Sequence, residues 1–208
     1  MRLCNFVLLV FFVTLSQAQE GFKETNLSFR AFQEAIAEKD TLISHISKNY
    51  KCSENLSGRI EFYHKGDKLK LIKHTYQQGF ARDVYLEYFF IENDMIRLKT
   101  SISEIIRMNT LYKKSSQGSS SLSAEKVVEV IEHAMFFKEN GESSCYERRH
   151  GEILSKWDVD YFETVPFEKS NCQEDIEDIR YKYRLLRKAE KKLESYSNRK
   201  PSCIFHLW

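Results

Sequence analysis

The chain has 208 residues, a formal net charge of +2, seven glycines and two prolines. That near-neutral balance argues against wholesale nucleic-acid binding, and so little Gly and Pro argues against a fibrous or disordered chain. What remains is a folded chain long enough for one domain with its own core.

Residues 1–18 read as a signal peptide. Arg2 gives a positive start, Phe6 to Leu15 is apolar apart from Thr14, and Ser16-Gln17-Ala18 ends in a small residue. An apolar core of about ten residues is too short for a membrane span of roughly twenty. Cleavage near Ala18 is expected, leaving 19–208 as a single soluble domain, periplasmic or extracellular. The alternative is an uncleaved anchor. Cleavage would remove Arg2 and no acid, taking the charge to +1.

Residues 26–50 carry Phe29, Phe32, Ile36, Ile43, Ile46 and Tyr50 at spacings of three, four and seven. That predicts a first helix with one apolar stripe, interrupted at Lys39. Asn26 or Ser28 can cap its start.

Two β-hairpins are predicted at 58–77 and 82–102. In the first, Ile60, Phe62 and His64 alternate with Arg59, Glu61 and Tyr63 before a turn at Gly66-Asp67. A two-residue turn sets His64 opposite Leu69 and Phe62 opposite Leu71, all on one face. The same register pairs His74 with Arg59 and turns it away from the face of His64. In the second, Asn93-Asp94 sets Ile91 opposite Ile96 and Phe89 opposite Leu98. The strand 82–91 is apolar on both faces, so it belongs in the middle of a sheet. The face bearing Tyr88 and Phe90 is one candidate binding surface; the plainer reading is a helix or loop lying over it.

Residues 113–123 form a serine-rich stretch, predicted to be a mobile loop within the domain. A third hairpin, 127–149, follows. Its Phe136-Phe137-Lys138-Glu139-Asn140-Gly141 parallels Phe89-Phe90-Ile91-Glu92-Asn93-Asp94. Residues 151–171 are dense in aromatics. Trp157, Tyr161 and Phe162 extend the candidate binding surface if exposed, and close one end of the core if buried. A last helix is predicted over 173–196, with Ile176, Ile179, Tyr183, Leu186 and Leu193 on one seam. Its acids cluster early and its bases late, which suits the helix dipole. Between Arg180 and Lys200 stand nine bases and two acids. That run could meet an anionic membrane surface, although a solvated helix face is the ordinary reading.

Five cysteines are present, and Cys4 lies in the signal segment. Cys52, Cys145, Cys172 and Cys203 remain, an even count that in an exported protein suggests two disulfides in one of three connectivities. Their spacing contains no C-x₂₋₄-C knuckle, which argues against zinc. The six histidines form no metal-binding pair of the H-x-x-x-H kind, and no nucleophile elbow or phosphate-binding glycine loop is present. No catalytic residue, metal ligand or cofactor is therefore assigned, and the sequence leans away from an enzyme.

The segment Phe89 to Ile96, with its two weaker copies, resembles exported bacterial proteins of uncharacterised function that carry repeated hairpins of a Tyr-Tyr-Phe-x-x-Gly-Lys-Leu type. The resemblance implies an export route and a β-meander, and brings no activity with it. The fold expected is α+β: one antiparallel meander of about six strands flanked by an N-terminal and a C-terminal helix. The function expected is a monomeric, non-catalytic binding or inhibitory module for a protein or envelope component. The alternatives are an envelope-associated structural protein using its basic last helix, and an enzyme with an unrecognised site.

Overall fold

The computed structural model of the chain describes residues 3–78, 83–114 and 120–195, with side-chain surroundings at 20–78, 84–109 and 124–192. The first helix, α1, runs Leu3–Ala37. It stops well before residue 50, which corrects the reading of 26–50 as helical. The stop is a Schellman motif: Asp40 N–H bonds to Ala35 C=O at 3.0 Å and Lys39 N–H to Ile36 C=O at 3.1 Å. Lys39 holds the left-handed position, with φ 60°. Glycine normally marks such a stop, so a lysine there hid it. Ile43, Ile46 and Tyr50 belong instead to a strand, β1 (Ile43–Ser53).

The strands that follow are β2 (Leu56–Lys65), β3 (Lys68–Gln78), β4 (Asp83–Glu92), β5 (Met95–Lys114), β6 (Ser120–Phe137), β7 (Ser143–Ile153) and β8 (Glu168–Ser170). All pair antiparallel in chain order, β1 to β8, in one sheet. The meander thus has eight strands rather than about six. The two not expected are β1, hidden by its helical spacing, and β8, which has only three residues. A 3-10 turn at Leu154–Lys156, a short helix, α2 (Val159–Thr164), and a last helix, α3 (Ile176–Ser195), complete the described elements.

All three predicted hairpins form, as β2–β3, β4–β5 and β6–β7. Their turns use the residues that tolerate positive φ: Gly66 at 59°, Asn93 at 51°, Asp94 at 61° and Gly141 at 86°. The registers differ from the two-residue-turn arithmetic. His64 does oppose Leu69 and Ile91 does oppose Ile96. Beyond them, Lys70 and Arg97 are extra residues, so Tyr63 pairs with Leu71 and Phe90 with Leu98. Each is a β-bulge, which shifts the partner by one and flips every later side chain. Phe62 therefore opposes Ile72, and Leu71 lies on the other face. Phe89 opposes Lys99, not Leu98, and His74 opposes Ile60, not Arg59.

One face of the sheet carries Phe62, Ile72, Phe89 and Ile91, packed beneath Ile179, Leu186 and Ala189 of α3. The opposite face carries Leu71, Phe90, Leu98 and Phe136, packed beneath Phe22 and Phe29 of α1. A helix thus covers each side of the meander. That is why β4 is apolar on both faces, and why the face with Tyr88 and Phe90 is covered. Burying side chains such as Phe29, Phe62 and Phe89, all at 0 % exposure, stabilises the layers by about 1.5–3 kcal/mol each.

Cys145 of β7 is bonded to Cys172, the residue pair being 27 apart in sequence. The bridge fixes the segment leading into α3 to the sheet. Cys52 in β1 is also disulfide-bonded. Cys203 lies outside the described residues, as do 115–119 and 196–200. The serine-rich stretch 113–123 is strand at both ends: Lys113 pairs with Ser121 and Lys114 with Ser120. Its reading as a loop is corrected to that extent.

Candidate binding surface

Of the five aromatics proposed as a surface, two are core. Phe90 is buried beneath α1, its ring 5.7 Å from Phe29 and 6.3 Å from Phe32. Phe162 is buried against Val128 and Val130. Tyr88 is half-buried, with its ring set edgewise to Phe29 at 5.5 Å. The surface reading of these three is therefore corrected. Tyr161 is different, at 54 % exposure, and Trp157 is half-buried between it and the core. His150 of β7 joins them, 5.7 Å from the Trp157 ring and 4.9 Å from the Tyr161 ring. Val159, at 60 %, and Leu154 are also exposed. Histidine next to an aromatic run carries no sequence signal of its own, so His150 was not legible as a member.

The patch sits on a firm base. Asp158 caps α2, its carboxylate accepting the Asp160 and Tyr161 amides at 2.9 and 3.3 Å. Beneath α2, Arg148 donates to the Phe162 and Glu163 carbonyls at 3.1 and 3.0 Å. Its guanidinium also lies over the rings of Phe162 and Phe167, at 4.5 and 4.9 Å. Arg148 is held in turn by Glu132, which takes Arg148 Nε at 2.8 Å and Arg30 of α1 at 2.8 and 2.9 Å. Glu163 closes the cluster from α2, 2.6 Å from Arg148. This clamp ties α1, the sheet and α2 together on one face.

Next to the patch the sheet changes character. β4 pairs with β5 only as far as Ser103, and β7 pairs with β6 only from Val127. Beyond those points β5 and β6 pair with each other through Lys114 and Ser120. The result is a two-stranded ribbon, Met108–Lys114 against Ser120–Lys126, projecting roughly 20 Å at strand rise. At its foot Ile106 opposes Val128, which packs in the cluster that Trp157 covers. Ile106 and Met108 are exposed, at 53 and 62 %. Exposed apolar side chains thus stand both on α2, at Tyr161 and Val159, and at the foot of the ribbon, at Ile106 and Met108.

The α3 side of the sheet holds a second set of buried charges. His74, Glu87, Ser101, His133 and Glu147 are direct neighbours along one rung across β3 to β7. Glu87 faces His74 at 3.4 Å and Lys99 at 3.6 Å, and pairs with Lys182 of α3. His74 contacts the Tyr50 hydroxyl at 2.7 Å, and Lys99 pairs with Glu174. Burial pushes the Tyr50 and Tyr76 hydroxyls well above the usual tyrosine range, and Glu87 adds to both. These groups satisfy one another beneath α3. His64 lies on this same face, bonded to Glu190 at 2.8 Å, so the two histidines share a side of the sheet. Lys182 turns inward, and Arg187 pairs with Glu190 at 3.0 Å. Part of the basic run of α3 is thus committed within the molecule. Among the described residues, no cluster of three His, Cys, Asp or Glu side chains is arranged to hold a metal.

No protein-family model, no curated protein and no solved structure matches the chain.

Proposed function

We propose that this chain is an exported, non-catalytic binding module that engages a partner protein through the exposed surface around Tyr161 and Val159. The observation that carries the reading is the exposure of Tyr161 and Val159 on α2, with the Tyr161 ring set against His150 and Trp157 beside it, on a base fixed by the Arg148 clamp; Ile106 and Met108 add exposed apolar side chains at the foot of the ribbon. Contiguous exposed apolar side chains on a rigid support are what interaction sites present. The Cys145–Cys172 disulfide supports an oxidising compartment.

The test compares the wild-type chain with a Tyr161→Ser, Val159→Ser, Met108→Ser variant as bait for extracytoplasmic proteins of the source cell. All three side chains are exposed, so the melting temperature should hold within a few degrees. A partner retained by the wild type and lost by the variant is expected. Identical capture by both would overturn the surface assignment. Non-reducing peptide mapping of the exported protein checks the compartment. It should find a mature N-terminus at Gln19, Cys145 linked to Cys172, and Cys52 linked to Cys203, the one remaining mature cysteine.

A further inference from the structure

We propose that the open edge of β6 over residues 120–126 is a strand acceptor. It takes an extended segment of the partner protein as an added β-strand, in line with β7. The inference rests on the binding reading above and names the chemistry of the partner.

Main-chain pairing carries the argument. From Lys126 to Ser120, β6 is paired on one side to β5. On its other side the β7 ladder ends at Val127 and Ile153. After Ile153 the chain leaves that line, entering a 3-10 turn at Leu154–Lys156 that leads to Trp157 and α2. A row of strand amides and carbonyls thus faces away from β5 with no strand beside it among the described residues. Only another extended backbone matches such a row along its length.

Natural sheets normally defend such an edge with proline, inward-pointing charges or a very short strand. Here the sequence is Ser120-Ser121-Leu122-Ser123-Ala124-Glu125-Lys126. Residues 120–124 hold no proline and no charge; the charges of this edge, Glu125 and Lys126, fall at its end beside β7. A two-stranded ribbon is also marginal on its own in water, and a third strand stabilises it. An added strand in line with β7 would end beside Leu154, Val159 and Tyr161, where its apolar side chains find partners.

Charge favours a different protein over a second copy. The two-stranded part carries Lys113, Lys114 and Lys126 against Glu125. Two such ribbons repel, whereas an extended segment with acidic residues among its apolar ones is attracted.

The experiment uses the full exported, disulfide-bonded protein and a displayed library of random peptides. Enriched peptides should alternate apolar with acidic or polar residues. Bound peptide should slow amide hydrogen exchange at 120–126. Successive strand residues aim their amides at opposite edges, so Ser123→Pro and Ala124→Pro should behave differently. One should weaken the peptide about tenfold or more with the melting temperature unchanged. The other should break the β5 ladder and lower the melting temperature. Protection confined to 154–161 would overturn the strand-acceptor inference and leave the binding module standing. So would two proline variants that bind normally, or a library that yields no peptide. Concentration-dependent dimers abolished by one of the prolines would also overturn it, in favour of a second copy.

Discussion

Replacing Glu132 with alanine should destabilise the fold by about 3–5 kcal/mol, the usual cost of removing one partner from a buried ion cluster. Glu132 is fully buried, and its two oxygens receive Arg30 and Arg148 within 2.6–2.9 Å. Without it, Arg148 at 3 % side-chain exposure keeps only Glu163, itself 45 % exposed, and two carbonyls. A guanidinium cannot shed its charge, so the mismatch is not relieved by titration. Urea unfolding at neutral pH with the disulfides intact measures the loss. Glu163→Ala is the control. It removes a half-exposed acid that water replaces, and should cost no more than about 1 kcal/mol. Glu132→Gln keeps the volume and one acceptor oxygen, and so separates lost charge from cavity. The local consequence is specific too. Arg148 holds the end of α2, so the Glu132 variant should loosen α2 before the rest unfolds. Trp157 fluorescence, read in a Trp208→Phe background, reports on that. A Glu132→Ala loss below about 1 kcal/mol would mean that water reaches the arginines, and would remove the clamp as the support of the patch.

How much of this was open to reading from the residues differs by element. The three turns were legible because Gly66, Asn93, Asp94 and Gly141 are residues that adopt positive φ, and all four do. The bulges at Lys70 and Arg97 were not. An inserted residue leaves the alternation of side chains looking normal and shows only in what faces what. That step misplaced Leu71, His74 and Leu98. The end of α1 was missed for a related reason. Its stop is made by backbone bonds around Lys39, not by a marker residue. The three-residue strand β8 pairs only with Cys145 to Glu147, too short for any period to show. The clamp was the least legible. Arg30 and Glu132 are 102 positions apart, and Arg148 and Glu163 are 15 apart. Nothing local distinguishes these four from the other charges of the chain. Of the candidate surface, Tyr161 and Trp157 could be named because aromatic density is visible in sequence; Tyr161 is exposed and Trp157 half-buried. Phe162 was included wrongly, because its neighbour in sequence points outward and it does not.

Acid should unfold this protein along two steps, and Glu87→Gln should remove the lower one. Glu87 is buried among His74, Lys99 and Lys182, with Tyr50 and Tyr76 close by and Glu174 on the far side of Lys99. Burial alone would raise its pKa, but the His74 hydrogen bond and the ammonium groups of Lys182 and Lys99 outweigh it, holding it at about 2 against an ordinary 4.5. A carboxyl with a depressed folded pKa contributes stability that is fully present above the unfolded value and is lost as pH falls through the folded one. The Glu87 contribution is therefore lost between about pH 4.5 and 2, and amounts to roughly 3 kcal/mol at about 1.4 kcal/mol per pKa unit. His74 acts in the same direction. Its own burial and then the charge of Lys182 lower its pKa below 6.5, against the opposing pull of Glu87. The fold holds His74 neutral, whereas the unfolded chain takes up a proton below 6.5, so stability begins to fall there. Tyr50 and Tyr76 close the range from above: their raised pKa values make stability fall once pH climbs past about 10. Urea unfolding across pH at fixed ionic strength should then trace a plateau between pH 6.5 and 10 with a two-step acid arm. Glu87→Gln leaves Lys99 and Lys182 without their buried acid, so it should be less stable at neutral pH. Its curve should converge on that of the wild type near pH 2, where Glu87 is itself protonated. Parallel curves would show that Glu87 is not the acid-sensitive group.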